Sequence, residues 1–259
     1  INRQSWNNRL EAHYQSDFYD VKGFLLGKSS LNRIELELLG DIKKKSILHL
    51  QCHFGQDTIS LARLGARTTG IDLSDLAIEK AKALASECGE EASFICCDIY
   101  DLPNHLDKQF DIVFTSYGTI GWLPDLNQWA AIIARYLKPG GKFIMVEFHP
   151  VVWMFDDDFQ KIAYHYFNYG AILENESGTY ADPDAAINQD YVMWNHSLSE
   201  VFNSLLGQGM HIQSFQEYDY SPYACFKHTE EVSPKKYRIK HLENKIPMVF
   251  ALEVTKSNE

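Results

Sequence analysis

The sequence predicts an α/β fold built on a doubly wound, mostly parallel sheet of seven strands, the last of them antiparallel. Two observations carry this prediction. Short apolar runs alternate with helical patterns from residue 46 to residue 148, which is typical of βαβ units that cover both faces of a sheet. A long stretch without a helical pattern precedes the final apolar run, and a strand that lacks a crossover helix pairs antiparallel with its neighbour.

The N-terminal segment is predicted to be helical. Trp6, Leu10 and Tyr14 recur at helical spacing over residues 2–15. A second helix is expected over residues 31–39, after the turn-prone GKSS. We therefore assign residues 1–44 to helices that precede the sheet.

The strands and helices of the sheet region follow in strict alternation. Strands are expected over residues 47–50, 67–71, 92–97, 110–115 and 142–148, and helices over residues 57–64, 75–85 and 126–137. The last of these helices ends at KPGG, a sequence that cannot continue a helix.

Residues 151–195 interrupt this alternation. They contain ten aromatic residues in 45 positions, against 13% in the whole chain, and eight acids against one lysine. We interpret them as an insertion in a single domain. Its aromatic residues either line a pocket for a substrate or form a small core of the insertion itself.

The sheet pattern resumes after the insertion. The capping box SLSE opens a helix over residues 197–206, and strands are expected over residues 210–218 and 247–255.

Composition excludes several classes of protein. The net charge of −11 and the lack of a basic stripe argue against a nucleic-acid partner. The longest apolar run, residues 143–154, is too short to span a bilayer. We expect no export signal, and five cysteines without C-x-x-C spacing indicate reduced thiols, no metal site and a cytoplasmic location.

The turn after the first strand, LHLQCHFGQDT, carries only Gly55 where dinucleotide-binding turns carry two or three glycines. Gln51 and His53 place side chains where phosphates require free backbone amides, which argues against NAD and FAD. A cofactor without phosphates is compatible with such a turn. S-adenosylmethionine offers an amino acid zwitterion and a sulfonium, which polar side chains and carbonyls bind, so we predict it as the cofactor.

Polar residues also end the next three strands. Asp72 is placed to accept hydrogen bonds from ribose hydroxyls, although it could equally belong to a turn in which Ser74 caps a helix. Asp98 and Ile99 follow the third strand, and Ser116 and Tyr117 follow the fourth. Ligands of open parallel sheets bind at these carboxyl ends.

These stretches resemble the class I S-adenosylmethionine-dependent methyltransferases, which have a Rossmann-like fold. The matching sequences are ILHLQCHFG, GIDLS, CCDI, FDIVFTSYG and YLKPGGKFIMVE. The resemblance covers residues 46–147 by motif and residues 197–255 by topology. One departure is His49, which stands where the family usually has an acid.

The resemblance also implies roles for individual residues. The methionine end of the cofactor is expected to lie against Gln51, Cys52, His53 and Gly55. The ribose is expected at Asp72 and Leu73, the adenine at Asp98 and Ile99, and Ser116 is expected to close the site.

Methyl transfer is an in-line displacement at an activated carbon, so positioning supplies much of the catalysis and a general base is optional. The candidates for such a base are Tyr117, His149 and His196, with Glu147 as a fourth. Each of the two histidines could also have a purely structural role. We expect residues 151–195 to form a mobile lid over the carboxyl ends of the strands, beneath which the candidates converge.

The sequence therefore predicts a methyltransferase that acts on an oxygen or nitrogen atom of a small molecule. A non-catalytic protein that binds S-adenosylmethionine is the alternative, followed by a NAD-dependent oxidoreductase. The sequence predicts no particular oligomeric state.

Overall fold

The computed structural model describes residues 1–258, which form a seven-stranded sheet, flanking helices and two separate hairpins. The N-terminal part contains helices α1 (Asn2–Gln15), α2 (Val21–Leu25) and α3 (Arg33–Leu39). Helices α1 and α3 were predicted. Helix α2 was missed because it has only five residues, too few to show a helical period.

The helices that accompany the sheet are α4 (Gln56–Arg63), α5 (Asp75–Cys88), α6 (Leu126–Tyr136) and α7 (Leu198–Leu206). Three of these helices begin directly after a residue whose side chain caps the helix. The Ser74 and Ser197 hydroxyls accept backbone N–H groups at the starts of α5 and α7, and the Asp125 carboxylate does so at the start of α6. These four helices confirm the predicted pattern.

The described strands are β1 (Ser46–His49), β2 (Arg67–Asp72), β3 (Ala92–Cys96), β4 (Phe110–Ser116), β5 (Leu137–Phe148), β6 (Ile172–Ser177), β7 (Asn188–Met193), β8 (Met210–Tyr218), β9 (Thr229–Ser233), β10 (Lys236–Ile239) and β11 (Val249–Lys256). The large sheet has the order β3-β2-β1-β4-β5-β11-β8. Strand β11 is antiparallel to both β5 and β8, whereas β1 to β5 are parallel to one another. The predicted fold class is therefore confirmed.

The sheet is buried on both faces. On one face Trp129 of α6 packs against Phe143 of β5, and Tyr136 of α6 belongs to the same apolar cluster. On the other face Ile59 of α4 and Ala81 of α5 belong to a second apolar cluster. This burial explains why the strands read as nearly continuous apolar runs, and it leaves the carboxyl ends of β1 to β5 as the edge where polar side chains meet.

Two hairpins lie outside the large sheet and were not predicted. Strands β6 and β7 pair antiparallel within the insertion, and β9 pairs with β10. Strand β6 reads ILENES, in which polar residues occupy most positions. It therefore lacks the apolar alternation by which a strand is recognised in a sequence.

The aromatic residues of the insertion mainly pack on one another and on neighbouring core residues. Trp153 lies 5.8 Å from Phe148 and 5.7 Å from Phe226, and Phe155 stacks on Phe159 at 5.5 Å between ring centroids. These contacts favour a role of these aromatic residues in a core, which the insertion shares with Phe148 and Phe226 outside it. Within residues 1–258, no helix is both long and apolar enough to span a membrane.

Candidate functional site

The turn between β1 and α4 is shaped by three residues in the left-handed region: Gln51 (φ 53°), His53 (φ 50°) and Gly55 (φ 83°). A Cβ atom at Gly55 would lie 2.7 Å from a ring atom of Phe94 and 2.9 Å from the Cβ of Ala81, so only glycine fits there. The other two positions keep the glycine-like backbone conformation at a cost of about 1 kcal/mol each. The turn therefore has the shape of a glycine-rich loop without its glycines.

Asp72 anchors this turn to the end of β2. Its Oδ2 accepts the backbone N–H of His53 at 2.8 Å, and its Oδ1 accepts that of Ser74 at 2.8 Å. Burial raises the pKa of Asp72, and these hydrogen bonds oppose the rise. Ser74 caps α5, so the turn role that the sequence allowed is present. Each carboxylate oxygen has a second lone pair, which can accept a hydrogen bond from a ribose hydroxyl.

The other predicted cofactor residues lie along the same edge. Asp98 is exposed at the end of β3 and accepts the N–H of Tyr100, while Ile99 beside it is buried. Cys52 is buried, and burial raises the pKa of its thiol. Leu73 is half-buried. These positions agree with a shared binding edge, and the contact of each residue with a cofactor stays a prediction.

Ser116 connects the fourth strand to a carboxylate that the sequence analysis did not single out. Its hydroxyl donates to Asp57 Oδ2 at 2.9 Å and lies 3.5 Å from His49 Nε2. Burial lowers the pKa of His49 to about 4, so this imidazole is neutral at pH 7. The family that this chain resembles usually has an acid at the end of the first strand, where this chain has His49. Asp57, in the first turn of α4, places a carboxylate close to that position.

Tyr117 follows directly and is paired with a second unforeseen carboxylate. Its hydroxyl donates to Glu35 Oε2 at 3.0 Å. Glu35 is fully buried, and its Oε1 accepts the backbone and side-chain N–H groups of Asn32, both at 3.2 Å. Burial, reinforced by Asp57, raises the pKa of Glu35 to about 7. Tyr117 is therefore in contact with a group that can take up a proton near neutral pH.

Tyr117 belongs to a group of five aromatic rings in successive contact, which we call the tyrosine cluster: Phe18, Tyr19, Tyr117, Tyr180 and Tyr223. Tyr223 lies 5.0 Å from Tyr117 and 5.5 Å from Phe18, and Phe18 lies 5.4 Å from Tyr180. The hydroxyls of Tyr19 and Tyr180 are hydrogen-bonded to each other. Each ring keeps part of its surface exposed, so the cluster can contact a ligand.

Two histidines join the turn to helix α1. His13 Nδ1 lies 2.9 Å from His53 Nε2, and burial lowers the pKa of His13 to about 2 and that of His53 to about 3. Both rings are therefore neutral. The buried atoms His13 Nε2, His53 Nδ1 and Gln51 Oε1 have no hydrogen-bond partner among residues 1–258. Buried polar atoms are normally paired, so these three mark places where a ligand's polar groups fit.

His149 and His196 are both buried, and each has a carboxylate oxygen close to one ring nitrogen, although neither of these two nitrogens forms a hydrogen bond within residues 1–258. His149 Nε2 lies 2.9 Å from Glu217 Oε1 on β8. His196 Nε2 lies 2.8 Å from the carbonyl oxygen of Leu123, and its Nδ1 lies 2.9 Å from Glu200 Oε1. Neither histidine contacts Tyr117 within residues 1–258. That they touch an acceptor stays a prediction, and the contacts present are structural.

Glu147 holds the backbone that follows β4. Its carboxylate accepts the N–H groups of Gly118, Thr119, Ile120 and Phe148 and the Thr119 hydroxyl. These contacts use both oxygens, so Glu147 fixes the shape of the loop that carries Tyr117 and Gly118.

The insertion rests on helix α1. The buried Arg9 donates to Glu176 Oε2 of β6 at 2.8 Å, and the Asn2 side chain pairs with both backbone groups of Val192 in β7. Tyr180 in the turn between these strands lies 4.8 Å from His13. The hairpin thus lies beside the turn that contains His53, and its mobility stays a prediction.

Two surface grooves lie elsewhere. Grooves of about 500 Å³ and 850 Å³ are lined by residues at the amino ends of β4 and β5 and of β2 and β3, respectively. None of the predicted site residues borders them.

Comparison with known proteins shows which proteins this chain is similar to. Residues 47–141 match a family model described as a methyltransferase domain. An uncharacterized methyltransferase of Synechocystis is 33% identical over 131 residues, which are 50% of this chain and 59% of that protein. A probable chloroplastic tocopherol O-methyltransferase of Oryza sativa is 30% identical over 54% of this chain and 42% of its own. The chain thus spans about half the length of these curated relatives.

Solved structures show the same fold at lower identity. A geranyl diphosphate C-methyltransferase from Streptomyces coelicolor superposes with a TM-score of 0.63 at 15% identity, over 98% of this chain and 96% of its own. At this identity the likeness concerns the fold alone.

Proposed function

We propose, from the premise that this chain belongs to the class I S-adenosylmethionine-dependent methyltransferases, that it binds S-adenosylmethionine and methylates an oxygen or nitrogen atom of a small molecule. The observation that carries the proposal is the glycine-like conformation of the turn at Gln51–Gly55. The backbone N–H group of His53 donates to Asp72 and so anchors this turn to β2. NAD is disfavoured because the Gln51 and His53 side chains take the space that a pyrophosphate needs.

The residues of the turn suit the amino acid end of this cofactor. If His13 Nδ1–H donates to His53, then His53 Nδ1 carries a hydrogen that can donate to a carboxylate. Gln51 Oε1 can accept from an ammonium group. In this proposal Cys52 and Gly55 complete the turn around the methionine end.

The remaining cofactor residues follow the order of the strands. We assign Asp72 and Leu73 to the ribose, Asp98 and Ile99 to the adenine, and Ser116 to the closure of the site. When bound, the sulfonium supplies the electrophilic methyl group. The protein's own contribution is to align the acceptor and to exclude water.

Tyr117 and Glu35 are the groups that we propose for proton removal. The Tyr117 oxygen takes the proton of the acceptor while its own hydrogen passes to Glu35, 3.0 Å away. A carboxyl group with a pKa of about 7 is suited to this exchange at neutral pH. His149 and His196 stay alternatives, which substitution of each by alanine would test.

A small-molecule acceptor is supported by the name of the plant relative, a probable tocopherol O-methyltransferase, and by the net negative charge of this chain, which repels nucleic acid.

Titration calorimetry tests the cofactor. S-adenosylmethionine and S-adenosylhomocysteine should bind at micromolar concentrations, and NAD should not. Turnover on a panel of small acceptors, read as S-adenosylhomocysteine released, then tests the enzyme. Binding without turnover on any acceptor would favour a cofactor-binding protein, and absence of binding would refute the proposal.

A further inference from the structure

Two carboxylates beside the tyrosine cluster, Asp57 and Glu35, have no cation paired with them within residues 1–258. Asp57 accepts hydroxyl groups from Ser30 at 2.6 Å and Ser116 at 2.9 Å, and Glu35 accepts the Tyr117 hydroxyl. Neither carboxylate forms an ion pair with any of residues 1–258. Removing charged carboxylates from water without a cation is unfavourable, so this arrangement favours a cationic ligand.

Two cations of neighbouring elements have other partners. Lys235 Nζ lies 3.3 Å from the side-chain oxygen of Asn32, and Arg9 pairs with Glu176. Neither neutralises Asp57 or Glu35.

The rings around these carboxylates suit the same ligand. Asp57 is linked to two of these rings through neighbouring residues: Ser116, which donates to Asp57, directly precedes Tyr117, and the side chain of Gln56, next to Asp57, donates to the carbonyl oxygen of Tyr19 at 2.8 Å. Aromatic faces attract cations through their quadrupole. Asp57 is half-buried, so part of this residue remains accessible, and each of its oxygens can accept a further hydrogen bond.

An independent observation points to a ligand with N–H groups. His13 is fully buried, its Nε2 has no partner, and its ring stacks on Tyr19 at 5.3 Å and lies 4.8 Å from Tyr180. When its Nδ1–H donates to His53, the free Nε2 is an acceptor at the wall of the tyrosine cluster. An ammonium group carries donors that suit both this nitrogen and Asp57.

We propose that the methyl acceptor is a small amine, bound in its protonated form by Asp57 and His13 among the rings of the tyrosine cluster. This inference rests on the proposed function, because it names the acceptor class of the same site. The ammonium proton passes to the Tyr117 oxygen as the Tyr117 hydrogen passes to Glu35, and the nitrogen keeps its electron pair.

A phenol or a carboxylic acid fits this site less well. A carboxylic acid is already negatively charged at neutral pH, and a phenol becomes negatively charged when it loses its proton. Either negative charge would be repelled by Asp57 and Glu35, which raises the free energy of the anion. The plant relative is named as an O-methyltransferase, but it matches this chain over only 42% of its own length. The charges at the site therefore favour nitrogen over oxygen as the methylated atom.

Calorimetry with three ligands of one shape tests the inference: phenethylamine, phenethyl alcohol and phenylacetate. Each is titrated into protein saturated with S-adenosylhomocysteine and into protein alone, at pH 7.5. We expect the amine to bind at least about tenfold more tightly than the alcohol, and phenylacetate not to bind. Asp57→Asn should weaken amine binding about tenfold and leave alcohol binding unchanged.

Glu37→Gln is the matched control, because Glu37 is an exposed acid on the same helix as Glu35 and pairs only with Arg33. It should change none of the three affinities. Equal binding of amine and alcohol, tighter binding of phenylacetate, or no amine binding would overturn the inference. So would an Asp57→Asn protein that loses affinity for S-adenosylhomocysteine alone, since the carboxylate would then serve the cofactor.

The comparison of the three ligands in the unaltered protein decides the question if Asp57→Asn fails to fold. A protein that prefers the amine but does not bind S-adenosylhomocysteine would refute the proposed function and not the amine site. The experiment therefore distinguishes failure of the proposed function from failure of the amine site.

Discussion

At the scale of single residues, Asp72 connects the cofactor turn to the sheet. Asp72→Asn removes the charge while it keeps the size of the side chain. We expect binding of S-adenosylhomocysteine to weaken by about 1.5–3 kcal/mol, because charge-assisted hydrogen bonds to the ribose are lost. Calorimetry measures this, and circular dichroism confirms the fold. Asp75→Asn, at an exposed acid nearby, is the control, and an unchanged dissociation constant for Asp72→Asn would leave Asp72 as a turn residue only.

Glu35 gives a prediction about pH. Its pKa is raised from 4.5 to about 7 in the folded protein, so the unfolded chain releases this proton first as the pH rises. The stabilising contribution is therefore complete below pH 4.5 and lost as the pH rises through about 7, by at most about 1.4 kcal/mol per pH unit. Glu35→Gln should remove this part of the pH dependence.

Urea unfolding of both proteins between pH 5 and pH 8 measures the difference. The unfolding free energy of the unaltered protein should fall relative to that of Glu35→Gln over this range, and Glu37→Gln should run parallel to the unaltered protein. A constant difference between the unaltered protein and Glu35→Gln would mean that Glu35 is ionised in the folded state at these pH values.

Some residues of the site could be predicted from the sequence and others could not. Asp72, Asp98 and Ser116 follow strands directly, and strand ends of a parallel sheet meet at one edge. Glu35 and Tyr223 reach the same place from an N-terminal helix and from the segment between β8 and β9. No local pattern marks such residues, because only tertiary packing brings them together.

At the scale of secondary structure elements, the turn before α4 depends on close packing at Gly55. Gly55→Ala would place a methyl group 2.7 Å from the Phe94 ring and 2.9 Å from Ala81, at a φ of 83°. We expect a loss of about 2–4 kcal/mol in unfolding free energy, from backbone strain and overpacking together. Gly89→Ala separates the two causes, because Gly89 has a φ of 69° and no atom within 4 Å of its Cβ position.

Denaturant unfolding should therefore show Gly89→Ala losing only about 1 kcal/mol, the cost of the left-handed backbone. Equal losses for the two variants would show that Phe94 and Ala81 move aside without cost, and the requirement for glycine would then be one of backbone conformation alone.

The elements of the large sheet were predictable because burial on both faces leaves apolar runs of the right length. Strand β5 is longer than predicted, because it begins at Leu137 and not at residue 142. Leu137 pairs with Phe110 across a register shift, and this pairing depends on the neighbouring strand rather than on the KPGG sequence itself. Local sequence rules therefore predict strand β5 but not the pairing of its first residues.

At the scale of the whole molecule, helix α1 links the insertion to the cofactor turn. The Arg9 side chain holds Glu176 of the β6–β7 hairpin, and His13 on the same helix contacts His53. Because a cofactor bound at His53 would stabilise α1, we expect it also to hold the hairpin closed. Chymotrypsin should cleave after Tyr180, which is 37% exposed in the hairpin turn, and S-adenosylhomocysteine at a hundredfold excess over its dissociation constant should slow this cleavage up to about a hundredfold.

Glu176→Gln tests the link, because it weakens the contact with Arg9 and leaves the cofactor turn intact. Cleavage after Tyr180 should become faster in this variant, and S-adenosylhomocysteine should protect it less than it protects the unaltered protein. Asp184→Asn removes the same charge from an exposed position in the same turn and should behave like the unaltered protein. Protection of equal size in all three proteins would mean that the hairpin closes independently of α1, and no protection in any of them would mean that the hairpin is a fixed cover rather than a lid.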